Sequence, residues 1–166
     1  SNEDESSKFL DEMCGIMEKP DRILPGGYLY MNDVLGNPQL MKKVGRVIAS
    51  AYADQEINVI MTMATKGIPI AYAVAGHLNV PVVIVRRDNK VTEGPTVSIN
   101  YISGSSKRIQ TMLLSKRSLE QGSRVLVVDD FMKAGGTIHG MTSLLEEFNA
   151  IVSGIAVLIE SEDTEE

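Results

Sequence analysis

Val125-Leu126-Val127-Val128-Asp129-Asp130-Phe131-Met132-Lys133-Ala134-Gly135-Gly136-Thr137-Ile138 is the stretch that decides the fold. Its apolar start reads as a short strand over residues 125–128, of the kind buried on both faces of a parallel sheet. Two adjacent carboxylates end the strand, and a small, glycine-rich loop leads into a helix over residues 136–148. Free backbone N–H groups at a helix N-terminus bind phosphate, glycines let the anion approach, and Thr137 adds a hydroxyl donor. Asp129 and Asp130 would repel that phosphate; they suit sugar hydroxyls, or a magnesium ion, beside it. A phosphorylated sugar meets both demands at once.

One acid and one glycine would be explained by a tight, capped turn. Two acids, two glycines and a threonine at a strand–loop–helix junction favour a ligand. Three rival motifs share the acid pair or the glycines. A receiver domain needs a phosphoacceptor Asp about one βαβ unit later, and the acids after Asp130 are Glu146, Glu147 and the terminal run. A Walker B strand needs a Walker A loop, and the sequence contains no Gly-x-x-x-x-Gly-Lys-Ser/Thr. A dinucleotide fingerprint needs Gly-x-Gly-x-x-Gly after a strand, which is also missing.

The flanking segments repeat the alternation. Residues 38–52 place Leu40, Met41, Val44, Val47, Ile48 and Ala51 at helical spacing, with Lys42, Lys43 and Arg46 opposite. Residues 57–63 read as a strand that stops at Ala64-Thr65-Lys66-Gly67, followed by a helix from about Ile68 to Leu78 with Asn79 closing it. Residues 80–85 read as another strand buried on both faces. Residues 86–110 read as a long, mobile, irregular excursion around a β-like stretch at 96–102. Residues 111–120 are helical in composition, and residues 151–159 form a last strand. Residues 1–24 read as a polar lead-in helix preceding a domain over 25–166. Alternating short strands and helices predict an α/β fold, a parallel sheet flanked by helices on both faces. Ligands in such sheets sit at the carboxyl ends of strands, near a topological switch point. Lys66, at such an end, is well placed to meet an anion. Arg86, Arg87 and Lys90 follow the next strand and read equally as a solvated run or as contacts to phosphate. Tyr101 either closes over a ligand or packs.

Composition narrows the function classes. The 166 residues are 43% hydrophobic and 23% charged, ordinary for a globular domain, and no apolar run approaches the roughly 20 residues that cross a bilayer. One cysteine, Cys14, excludes an intrachain disulfide and fits a reducing cytoplasm. Residues 1–12 carry five acids against Lys8 and residues 160–166 carry five acids and no base, so of the overall −6 the body keeps +3. Acidic ends around a mildly basic body permit a local anion pocket and disfavour a whole-surface nucleic-acid binder. Zero Trp and 5% aromatics offer no stacking platform for single strands. His77 and His139 lack further ligands at metal spacing, and no metal site is expected.

Residues 125–137 resemble the 5-phosphoribosyl-1-pyrophosphate (PRPP) motif of the type I phosphoribosyltransferase family, and residues 64–69 resemble its pyrophosphate loop. Residues 22–28, 64–71, 80–94, 96–104 and the run to Gly136 resemble, within that family, the effector domains of the purine operon repressors of Gram-positive bacteria. The resemblance covers about residues 20–160. It implies PRPP binding by Ala64, Thr65, Lys66, Gly67, Arg86, Lys90, Tyr101, Asp129, Asp130, Phe131, Lys133, Ala134, Gly135, Gly136 and Thr137. The acid pair would hold the ribose 2′ and 3′ hydroxyls, and the loop after it the 5′-phosphate. It further implies a homodimeric, cytoplasmic transcription regulator that responds to PRPP, or to guanosine tetraphosphate, and a winged-helix domain before residue 1 that contacts operator DNA. No catalytic residue and no required cofactor are expected, with magnesium accompanying PRPP. The alternative is an active purine phosphoribosyltransferase using PRPP and magnesium. Ala134 stands where active transferases usually carry Thr, which favours the regulator.

Overall fold

Asn37 caps a long helix of the computed structural model, which describes residues 14–16, 35–87, 94–103, 107–130 and 136–158. Its side chain accepts from the Gln39 and Leu40 N–H groups at 3.0 and 3.1 Å, and Pro38 takes the first helical position, where no donor is needed. The helix, α1 (Pro38–Ala51), leads to β2 (Val59–Met63), α2 (Gly67–Leu78) and β3 (Val82–Val85). Asn79 closes α2 in the left-handed conformation, φ 55° and ψ 50°, as expected from its position. A hairpin of β4 (Thr96–Ile102) and β5 (Ile109–Ser115) follows, then β6 (Arg124–Asp129), α3 (Gly136–Glu147) and β7 (Ile151–Leu158). Upstream, β1 (Cys14–Ile16) is the remaining element among the described residues.

The main sheet has the order β1-β7-β6-β2-β3. β7, β6, β2 and β3 are parallel, and β1 pairs antiparallel with β7. One face is covered by α1 and α2, with Val44, Ile48, Ile70 and Val74 against Ile60, Leu126 and Val128. The helices lie so close that a Cβ on Gly45 would come within 2.5 Å of the Ala73 carbonyl oxygen. The other face is covered by α3 and the hairpin, with Met141, Leu144 and Leu145 joined by Tyr101, Met112 and Leu114 against Met61, Val125 and Val127. The sheet flanked by helices on both faces is thus as expected. Among the described residues no helix is long and apolar enough to cross a membrane.

Four expectations are corrected. Residues 14–16 are a strand, so that part of the lead-in is not helical; the rest of residues 1–24 lies outside the described residues. Residues 111–115 belong to β5, because pairing with β4 over seven residues, from Thr96↔Ser115 to Ile102↔Ile109, overrides the helical propensity of Met112, Leu113 and Leu114. That hairpin, packed on the sheet, also replaces the irregular excursion over much of 86–110. Finally, β3 is the sheet edge rather than an interior strand: Val82, Val83 and Ile84 are half-buried and only Val85 is fully enclosed.

Candidate functional site

The chain leaves β2 through α2 toward β3 on one side, and leaves β6 through α3 toward β7 on the other. The connections diverge on opposite faces, so the switch point lies between the carboxyl ends of β2 and β6. That is where a crevice opens in a parallel sheet. Register holds the two ends level: Val59, Ile60 and Met61 pair with Val125, Leu126 and Val127. Two residues further along each strand, β2 ends at Met63 and β6 at Asp129.

The loop after β2 is tied down at both ends. Ala64 N–H donates to the Val85 carbonyl at 2.9 Å, and the Thr65 carbonyl accepts from Ile68 N–H at 3.2 Å. The Ala64–Thr65 peptide is cis. Thr65 and Lys66 are exposed, and Lys66 caps α2 through its backbone with no side-chain bond. Gly67, the first residue of α2, is buried against the acid pair: a Cβ there would lie 3.1 Å from Asp129 Oδ1 and in direct collision with Thr62 Oγ1. Only glycine fits between these two oxygens.

Asp129 is 8% exposed, in contrast to the open strand-end carboxylate that the sequence implied. Its carboxyl is pushed up to about 8, chiefly by burial, then by the hydrogen bond and negative charge of Asp130. The Asp130 N–H, which donates to Asp129 Oδ1 at 2.9 Å, and the charge of Arg87 act in the other direction. Asp130 is half-buried. Gly136 and Thr137 begin α3 and are half-buried.

Of the residues expected to bind ligand, Ala64, Thr65, Lys66, Gly67, Asp129 and Asp130 lie at the two neighbouring strand ends, and Gly136 and Thr137 start the helix that follows the second. Lys90, Phe131, Lys133, Ala134 and Gly135 lie outside the described residues. Arg86 exchanges backbone hydrogen bonds with Leu113, at 3.2 and 2.8 Å, and its side chain is exposed. Arg87 is the guanidinium whose charge reaches Asp129. Its Nε donates to the Tyr101 hydroxyl at 3.1 Å, which donates to Gln110 Oε1 at 2.9 Å. Tyr101 is therefore a packed strand residue, 4% exposed, that holds Arg87 at the margin of the site instead of a mobile cover. His77 Nε2 lies 3.3 Å from the Lys42 carbonyl and ties α2 to α1. Among the described residues no three His, Cys, Asp or Glu side chains gather as a metal centre.

Sequence reasoning missed Thr62. It is fully buried, and its hydroxyl has no hydrogen-bond partner among the described residues. A threonine inside an apolar strand was the available signal.

The chain matches the family model of the phosphoribosyl transferase domain over residues 31–166. It is 62% identical over 162 residues to the purine biosynthesis transcriptional repressor PurR of Bacillus subtilis, an alignment covering 98% of this chain and 57% of that protein. It is 52% identical over 158 residues to the purine biosynthesis transcriptional activator PurR of Lactococcus lactis subsp. lactis, covering 95% and 58%. The chain thus spans well under two thirds of these relatives. Among solved structures, adenine phosphoribosyltransferase from Rhodothermus marinus aligns with a TM-score of 0.73 at 26% identity, covering 93% of this chain and 86% of that one.

Proposed function

The chain belongs to the phosphoribosyl transferase domain family, and from that premise we propose that it is the ligand-sensing domain of a transcriptional regulator of purine biosynthesis genes, with PRPP as its effector. The observation that carries this reading is the close approach of Gly67 to Asp129, where a Cβ on Gly67 would lie 3.1 Å from Asp129 Oδ1, which brings the loop after β2 near the acids after β6. A ligand lying across that crevice meets three different chemistries. Asp129 and Asp130 accept from the ribose diol. Backbone N–H groups and the Thr137 hydroxyl, at the start of α3, take the 5′-phosphate. The loop at residues 64–67, with Lys66 and the guanidinium of Arg87, takes the pyrophosphate. Magnesium travels with the pyrophosphate oxygens and needs no dedicated protein cage. Guanosine tetraphosphate also carries phosphates at two ends and competes for the same crevice.

The regulator reading is supported over the transferase by the relatives at 62% and 52% identity, which are both named regulators. One is named a repressor and the other an activator. In this reading the domain works as a homodimer, and contact with operator DNA belongs to the part of the regulator that this chain does not span.

Calorimetry of the purified chain with PRPP and magnesium tests the ligand. Pyrophosphate release in the presence of adenine, guanine, hypoxanthine, xanthine or orotate tests the activity. The expected result is PRPP binding without turnover. Turnover at ~1 s⁻¹ or more with any base establishes the transferase instead, and failure to bind PRPP rejects the site.

A further inference from the structure

Thr62 poses a problem that the fold leaves unsolved. Its side chain is 0% exposed, in a strand whose other residues are all apolar. A buried hydroxyl without a partner is destabilising, and buried polar groups are almost always satisfied. Valine has the same shape and would fill the space without that cost. Thr62 Oγ1 is also not lost in the core: it faces the point where a Gly67 Cβ would stand, and Asp129 Oδ1 lies 3.1 Å from that same point. Thr62 Oγ1 is closer still, so the two oxygens are separated by less than twice that distance. The second buried hydroxyl without a partner, on Ser153, has a local cause. It falls at the register shift in β7, where Val125 faces Val152 and Leu126 faces Gly154.

We propose that Thr62 is a positioning residue for Asp129: its hydroxyl donates to the Asp129 carboxylate in the ligand-bound state and is left without a partner in the ligand-free state. The inference rests on the ribose-binding role given above to the acid pair. Without ligand, burial and Asp130 keep the Asp129 carboxyl protonated to about 8. A neutral carboxyl is a poor acceptor for a ribose diol. Donors that favour the charged form reverse this. The Asp130 N–H already supplies one at 2.9 Å. Ribose hydroxyls supply more, and Thr62 completes the set from the buried side, where water does not reach. The proton leaves to solvent. Among the described residues, the charged groups that act on Asp129 are Asp130 on its own strand end and Arg87 beyond β3; Gly67, on α2, brings no side chain. Thr62 is thereby the uncharged donor that β2 brings, across Gly67, nearest to the carboxylate among the described residues.

Thr62→Val and Thr62→Ser separate this from a packing role. With the hydroxyl removed at constant shape, Thr62→Val should melt at or above the wild-type temperature without ligand, by up to ~4 °C, and bind PRPP at least ~10-fold more weakly. Thr62→Ser keeps the donor and should bind within about threefold of wild type, even though the lost methyl lowers its melting temperature. Wild-type affinity in Thr62→Val overturns the proposal, as does a fall in melting temperature accompanied by equal losses of affinity in both variants. If the wild-type chain itself does not bind PRPP, the ribose-binding role fails and the proposal falls with it; that outcome is distinguished by the wild-type titration alone.

Discussion

The two ends of the parallel sheet satisfy their polar groups in opposite ways. At the amino end, Asn58 and Arg124 form a closed set: Arg124 N–H donates to Asn58 Oδ1 at 2.6 Å, Asn58 N–H donates to the Arg124 carbonyl at 3.0 Å, and Arg124 Nε donates to the Gln55 carbonyl at 3.1 Å. At the carboxyl end, Thr62 has no partner and Asp129 is buried beside a second carboxylate. The sheet and the strands are the same; the difference is that one end pairs its polar groups within the chain and the other leaves a hydroxyl unpaired beside a buried acid pair. Stability should therefore reside at the amino end and binding at the carboxyl end, and substitutions at each end can break that division.

The largest effect is expected from replacing Asp129 and Asp130 together by Ala. PRPP affinity should fall at least ~100-fold, because two charge-assisted acceptors are lost. The melting temperature at pH 7 should not fall, because a desolvated acid pair is removed. Calorimetry and a thermal scan read the two halves, and a loss of stability larger than the loss of affinity would abolish the distinction between the ends.

Gly136→Val places a branched side chain at the first position of α3, where phosphate must approach backbone N–H groups. Affinity should fall by ~30-fold, equivalent to roughly 2 kcal/mol, and normal binding in that variant would put the phosphate elsewhere.

The burial of Asp129 gives the carboxyl end a pH signature. Its folded-state value of about 8 lies above the ordinary 3.8, so the folded chain keeps a proton that the unfolded chain releases. This contribution to stability is complete below pH 4, declines as pH rises toward 8 and is flat beyond. Asp129→Asn removes the decline. The stability of the variant relative to wild type should increase by up to roughly 3 kcal/mol between pH 5 and pH 7.5. Denaturant titrations at the two pH values measure it, and a constant difference would mean that Asp129 is already ionised.

The smallest effect belongs to the amino end. Asn58→Ala removes the acceptor for Arg124 N–H and should cost ~1 kcal/mol, a fall of about 2–4 °C in melting temperature, with PRPP affinity within about twofold of wild type. A matching loss of affinity would show that the two ends are coupled through β6.

What could be read from the chain itself follows from local rules. The apolar strand of residues 125–128, the acids after it and the helix from Gly136 are a contiguous pattern, as are the cap at Asn37 and the stop at Asn79. Alternation of strands and helices then determined the parallel sheet, and the strand-end rule pointed to the residues after Met63, Val85 and Val128. Three things depended on contacts distant in sequence. The hairpin exists because β5 finds β4 and the sheet, against the propensity of its own residues. Arg87 rather than Arg86 acts on Asp129, because Arg86 is held to Leu113 through its backbone while Arg87 is held by Tyr101. Thr62 and the burial of Asp129 emerge only when β2, α2 and β6 meet at Gly67. Periodicity and motif describe neighbours along the chain, whereas desolvation and unsatisfied hydrogen bonds belong to neighbours in space.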